Sequence, residues 1–234
     1  MKKVLGLIAV AGLATAAMAR PDPSLDIKFS TDNGATWADN VSINAGASVL
    51  VSVSMSVPDS FYGISGSRYN ITSAVGDWDT GGNDSVDLTS AKGNATDGRM
   101  AGFDFGGQTQ QIFETGGRLR IDAKGDTSDS AGAGISTAQN TPGVLGGAFN
   151  TNKTAMVYKF SITTHAAHAL NSFMTIKIDN NQITSFKGYD TNASTSGTAI
   201  TGAVGDSGRI TFVPAPASMA LVGLAGLAAG RRRR

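Results

Sequence analysis

The sequence predicts an all-β protein: a two-sheet antiparallel sandwich, with an N-terminal signal helix and a short C-terminal apolar helix outside it. Three observations predict this. Between residues 25 and 212, apolar side chains recur at every second position and hardly anywhere at helical spacing, which is the period of a strand with one buried face. Thirty glycines, with abundant Ser, Thr, Asn and Asp, supply turns between short strands. No unit of about 20–50 residues repeats, which argues against a propeller or solenoid.

The strands follow in order. Leu25, Ile27 and Phe29 alternate in LDIKF, and a second short strand lies near 41–43. The clearest alternation is SVLVSVSMSV at 48–57, where Val49, Val51, Val53, Met55 and Val57 share one face; Pro58-Asp59 ends it. Tyr69 and Ile71 share a face in the strand at 63–72, and Ala101, Phe103 and Phe105 alternate in MAGFDFG. Leu119, Ile121 and Ala123 alternate with Arg118, Arg120 and Asp122. Met156, Tyr158, Phe160 and Ile162 line one face of 154–163, Met174, Ile176 and Ile178 line one face of 173–179, and Ile210 and Phe212 close the domain. Roughly eight to ten such strands make two packed sheets, joined by long Gly-, Asp- and Ser-rich loops at 76–98, 124–147 and 188–208.

The ends divide the chain into three parts: a signal peptide at 1–19, the sandwich at 20–213 and a tail at 214–234. Lys2 and Lys3 precede an apolar run from Val4 to Ala14, and Ala17 and Ala19 form an A-x-A cleavage site. These residues predict export by Sec-type machinery. At the other end, Pro214-Ala215-Pro216 breaks the last strand, Ala217 to Gly230 is uncharged, and Arg231, Arg232, Arg233 and Arg234 follow. Fourteen residues of helix span ~21 Å, short of the ~30 Å hydrocarbon core, so the run suits a temporary hold better than a permanent anchor.

This order of short proline motif, apolar helix and arginine cluster resembles the PEP-CTERM sorting signal. The resemblance implies processing at the membrane by an exosortase, a transpeptidase-like integral-membrane enzyme. It also implies transient residence at the inner membrane and delivery to the cell surface or extracellular matrix. The family's Pro-Glu-Pro is Pro214-Ala215-Pro216 here, with Ala215 in place of Glu.

Removing the ends changes the charge. Lys2, Lys3 and the four terminal arginines are six of the 19 basic residues, and none of the 18 acids lies in either end. The body therefore carries 13 basic against 18 acidic residues, a balance of −5. That excludes a basic nucleic-acid footprint. Cysteine is absent, so the exported body relies on packing without disulfides.

The run STDNGATW at 30–37 resembles the Asp-box of sialidase propellers. Read from its residues it is a turn: the Asp32 carboxylate accepts backbone amides, Gly34 supplies a permissive dihedral, and Trp37 packs over the top. It would close a hairpin between 25–29 and 41–43. A sialidase needs an arginine cluster and a Tyr/Glu pair, whereas this body has a single Glu, Glu114, and one copy of the box.

The acid-rich loop GDWDTGGNDSVD holds Asp77, Asp79, Asp84 and Asp87, oxygen donors of the kind calcium takes; solvated Asp-Gly turns are the alternative. His165 and His168 are three apart and suit zinc on a helical turn, or else a polar connection between strands. Trp78, Tyr62 and Tyr189 are the aromatics that would stack on sugar rings, or else pack at the sandwich edge. No nucleophile elbow and no base beside a serine is present, so no enzymatic activity is expected.

A fainter likeness sits at 44–72, where NAGASVLVSVSMSV followed by YGISGSRYNI resembles the opening strands of cohesin-like and related carbohydrate-binding sandwiches. It implies a jelly-roll or cohesin-like arrangement. The functional expectation is a non-catalytic exported protein with a structural or adhesive role. The alternative is a carbohydrate-binding module acting on matrix polysaccharide.

Overall fold

The computed structural model describes residues 23–81, 83–88, 98–103, 110–123, 135–138 and 153–214. Within them the chain forms 14 strands and one short 3₁₀ turn. The strands are β1 (Ser24–Ser30), β2 (Asn40–Asn44), β3 (Ser48–Ser56), β4 (Gly63–Tyr69), β5 (Ile71–Ser73), β6 (Ser85–Asp87) and β7 (Gln110–Thr115). They continue with β8 (Arg118–Ala123), β9 (Ile135–Ala138), β10 (Thr154–Thr163), β11 (Phe173–Lys177), β12 (Ile183–Tyr189), β13 (Thr198–Ala199) and β14 (Ser207–Val213).

Three sheets result, in the orders β1-β3-β10-β6, β2-β14-β11-β5-β8-β7 and β13-β12-β4-β9. The first is one layer of the sandwich. β4 runs into β5 through Asn70 alone, and β11 into β12 through the turn at Asn180–Gln182, so the second and third sheets are successive parts of the facing layer. The all-β sandwich expected from the period-2 pattern is the observed architecture. The expectation of two purely antiparallel sheets is corrected in two ways: the sheets number three, and β14 pairs with β2 in parallel, Ile210 beside Val41 and Phe212 beside Ile43.

The core is the alternation made solid. Leu25, Ile27 and Phe29 from β1 are fully buried, as are Val51, Val53 and Met55 from β3. Ile71, Ile121, Ile176 and Ile210 meet them from the other layer in one continuous cluster. Each such side chain removed from water is worth about 1.5–3 kcal/mol. Ser52, expected on the wet face, is buried because β3 lies between β1 and β10; its hydroxyl donates to the Lys28 carbonyl at 3.4 Å.

Three local expectations fail for identifiable reasons. In β10 the register slips between Met156 and Tyr158, so Val157 is the extra residue of a bulge and is buried. A bulge resets the alternation, so Tyr158, Phe160 and Ile162 face the core while Met156, opposite Ser54, does not share their face. Residues 101–103 form a turn rather than a strand: Gly102 has φ 86° and the Phe103 amide donates to the Met100 carbonyl at 2.8 Å. Phe103 is nonetheless fully buried, and Phe105 lies outside the described residues. Finally, β1 and β2 are not a hairpin pair. They belong to different layers, and the bridge between Phe29 and Ala38 ties β1 to the connection ahead of β2, not to β2 itself.

β14 passes close to β1 at Gly208. A Cβ there would lie 2.2 Å from the Asp39 carbonyl oxygen and 2.3 Å from the Phe29 ring, so β14 can cross β1 at this point only without a side chain.

Candidate functional site

The most elaborate polar constellation among the described residues joins two connections: the loop between β5 and β6, and the turn after β10. The ladder creates it. β6 pairs with β10 with Ser85 opposite Thr163, which sets Asp84 beside the turn that carries both histidines. Asp84 is 1% exposed. Its Oδ1 accepts the His165 amide at 2.6 Å and its Oδ2 the Asp79 amide at 2.7 Å. His168 Nε2 lies 2.8 and 3.0 Å from the two oxygens. The His168 ring stacks nearly parallel on Phe212 at 4.3 Å, which fixes its orientation from the core side.

A second pair lies further out. His165 Nδ1 is 2.9 Å from Asp79 Oδ2, with both side chains about a third exposed. Asp79 also accepts the Gly81 amide at 3.0 Å and the Asn83 side-chain amide at 3.0 Å. These hydrogen bonds, the one from Gly81 first, hold its carboxyl below the ordinary aspartate range. Asp77 faces elsewhere, its Oδ2 accepting the Thr175 amide at 2.7 Å and tying the loop to β11. Asp87 is exposed on β6.

Asp77, Asp79 and Asp84 therefore direct carboxylate oxygens at N–H donors, and the four acids proposed for calcium do not converge on a point. Among the described residues, three acids whose oxygens do lie within 4.8 Å of one another are Asp26, Asp39 and Asp206. Lys28 Nζ stands among them, 3.6 Å from Asp26 and 3.4 Å from Asp39, as a counter-charge. Nor do His165 and His168 share a metal geometry: each imidazole is engaged by its own aspartate. Chemically the arrangement is a two-point staple between loops.

The aromatics proposed for sugar stacking are placed differently again. Trp78 is 2% exposed, with its indole N–H donated to Glu114 Oε1 at 3.1 Å, and Tyr189 is 1% exposed, with burial raising its phenol above the ordinary range. Tyr62 is half-buried and its amide donates to the Tyr189 carbonyl. Buried rings offer no face to a ligand, so Trp78 and Tyr189 are packing residues, and the carbohydrate reading loses the platform it was built on.

The turn at 30–37 is built as its residues imply, though between different partners. Ser30 Oγ donates to Asp32 Oδ1 at 2.7 Å and accepts the Gly34 amide at 2.8 Å. The Thr36 amide and hydroxyl donate to the two Asp32 oxygens at 2.9 and 2.6 Å. These bonds, with the Thr36 hydroxyl contributing most, pull the Asp32 carboxyl down to about 2. Asn33 and Gly34 take φ of 59° and 89°, and Trp37 lies over Gly34, whose added Cβ would sit 3.5 Å from the indole.

Pro214 follows directly on β14 and is half-buried. Ala17, Ala19, Ala215, Pro216 and Arg231 to Arg234 lie outside the described residues. Among the described residues, no helix is long and apolar enough to cross a membrane.

The Asp–His pairing escaped the sequence reading because its partners stand 84 residues apart and meet only through the β6–β10 register. The one available signal was that a chain with two histidines places both at the end of its longest apolar strand.

No family model and no curated protein matches this chain. Among solved structures it is similar to a type I cohesin, OlpA, of Clostridium thermocellum, with TM-score 0.43 and 12% identity over 81% of this chain and 99% of that one. It is similar to a type III cohesin module of the cell-surface anchoring scaffoldin ScaE of Ruminococcus flavefaciens, with TM-score 0.41 and 9% identity over 82% and 88%. It is also similar to the sixth cohesin of scaffoldin B from Acetivibrio cellulolyticus, with TM-score 0.40 and 15% identity over 81% and 96%. At such scores the likeness assigns the chain to no family.

Proposed function

We propose that this chain is an exported, non-catalytic protein of the cell surface or extracellular matrix, sorted by a PEP-CTERM-like tail and serving a structural or adhesive role. The observation that carries the reading is the order at the C-terminus: Pro214-Ala215-Pro216, then an uncharged run to Gly230, then Arg231 to Arg234. The N-terminal Lys2-Lys3, apolar run and Ala17-x-Ala19 site give the matching route out. In this reading Sec-type machinery exports the chain, the tail holds it briefly at the inner membrane, and an exosortase-like enzyme releases it. A non-catalytic role is supported by the way Asp77, Asp79, Asp84 and both histidines are occupied in holding loops.

The test is fractionation of the chain carrying an epitope inside the sandwich, followed by mass spectrometry of both termini. The expected product begins near Arg20, has lost the arginine cluster and is recovered outside the cytoplasm. Full-length chain in the cytosol, with Arg231 to Arg234 intact, ends the proposal.

A further inference from the structure

β2 is the outer strand of the six-stranded sheet, and its free edge has the chemistry of a self-pairing surface. The Arg209 amide donates to the Asp39 carbonyl at 3.2 Å and to Asn40 Oδ1 at 3.1 Å. From that bond, strand alternation turns the backbone groups of Val41 and Ile43 towards β14 and those of Asn40, Ser42 and Asn44 away from it. On that outer side the Asn44 carbonyl accepts the Ala47 amide at 3.0 Å, and no other backbone bond of Asn40, Ser42 or Asn44 is present among the described residues. Asn40, Ser42 and Asn44 are exposed, while Ile43 is buried and Val41 half-buried.

Natural edges are ordinarily blunted by charge, proline, a bulge or a covering loop. The strand Asn40-Val41-Ser42-Ile43-Asn44 has neither charge nor proline, and its pairing with β14 runs without a bulge. Its sequence has a further property: polar, apolar, polar, apolar, polar, with Asn at both ends and Ser at the centre, it reads nearly the same in both directions. A strand that pairs antiparallel with its own copy about a two-fold axis needs that property, because residue i then meets residue 84 − i.

We propose that β2 is a homotypic edge: two copies of this chain pair antiparallel through β2, with Ser42 on the two-fold axis. Asn40 then faces Asn44 of the partner subunit, amide to amide. Val41 faces Ile43 of the partner subunit on the core side, extending both apolar faces. Ser42 faces Ser42 of the partner subunit and the two exchange backbone hydrogen bonds. Asp39, the charge flanking the strand, falls opposite Ala45 of the partner subunit and meets no like charge. A five-residue edge is small beside the ~1,200–2,000 Å² that stable complexes bury, so the pairing is reversible and driven by local concentration, as on a crowded surface. It deepens the structural role proposed above but does not depend on export.

The absence of cysteine makes the test clean. Ser42→Cys and Asn44→Cys are made singly in the full chain, and each purified protein is oxidised mildly and run without reductant. About the axis, the two Ser42 Cα atoms sit ~5.5 Å apart, within disulfide reach, whereas the two Asn44 Cα atoms are separated by four residues of strand, about 13 Å, which is beyond it. Ser42→Cys is expected to form a covalent dimer at least tenfold faster than Asn44→Cys. Equal rates, or a monomeric Ser42→Cys, overturn the proposal. As a second arm, Ser42→Pro removes only an outward amide, so melting should be retained while the concentration-dependent rise in sedimentation mass is lost. A folded Ser42→Pro that associates like the parent overturns the proposal as well. A chain found in the cytosol that still shows the Ser42 cross-link would end the export reading and leave this one standing.

Discussion

Two connections in this molecule that are organised by aspartate carboxylates do opposite jobs. The turn at 30–37 is closed on itself: Asp32 takes its hydrogen bonds from Thr36 and Ser30, all within four residues, and the two from Thr36 are exposed to water. The loop at 76–87 is closed on the rest of the protein. Asp84 reaches the turn after β10, Asp77 reaches β11 and Trp78 reaches Glu114. The first can be read from eight consecutive letters. The second exists only once β6 has found β10. A carboxylate in a local turn decides the shape of that turn, whereas a buried carboxylate receiving donors from distant segments decides whether those segments stay docked.

That contrast can be broken experimentally, starting where the effect is largest. Asp84→Ala leaves the amides of Asp79 and His165 without their acceptor and His168 without its carboxylate, at a carboxylate that is almost fully buried. A loss of about 3 kcal/mol or more is expected in urea unfolding. A change below about 0.5 kcal/mol would mean that the staple contributes nothing. Gly208→Ala comes next: its Cβ has no room against Asp39 and Phe29, and overpacking of this kind costs about 1–3 kcal/mol. An unchanged midpoint would show that the layers can separate at β14 without cost.

His165→Ala probes the outer, wetter pair. Solvent screens such a contact, so its unfolding midpoint should move far less than that of Asp84→Ala. Faster exchange should appear at the Gly81 backbone amide and the Asn83 side-chain amide without spreading into β10. The smallest effect belongs to the local turn. Asp32 should titrate at about 2 by NMR, below the ~3.9 of a free aspartate. Because the folded value is depressed, the contribution of the turn is fully present above pH ~4 and fades as pH falls through about 2. A titration at the free value would mean that the Thr36 and Ser30 bonds do not form in solution.

The same division explains what could be read in advance. Strands with one buried face announce themselves: β1, β3, β8, β11 and β14 sit where alternation puts them. β6 and β13, at three and two residues, are too short to show a period, and β9 lies in a stretch whose composition reads as loop. Phe103 misled because a buried aromatic flanked by small residues looks the same in a turn as in a strand. Met156 misled because nothing in TAMVYKFSIT marks the extra residue of the bulge. Trp78 looked like a ligand platform by residue type, yet its burial follows from tertiary packing that the local letters do not encode. The site fared worse than the fold for one physical reason: the contacts that join its two connections, Asp84 to His165 and His168 and Asp79 to His165, are all non-local.

The parallel pairing of β14 with β2 bears on mechanics. Ser24 bridges Val204 in parallel, just ahead of β14, and the chain leaves that strand beyond Val213 at the opposite pole, beside Asn44. Tension between these two points pulls β1 and β14 lengthwise past their neighbours. The ladders flanking β14 on both sides are then strained together, not opened one rung after another. A molecule tethered through its final strand would yield under load as a unit, at a rate set by its unfolding barrier.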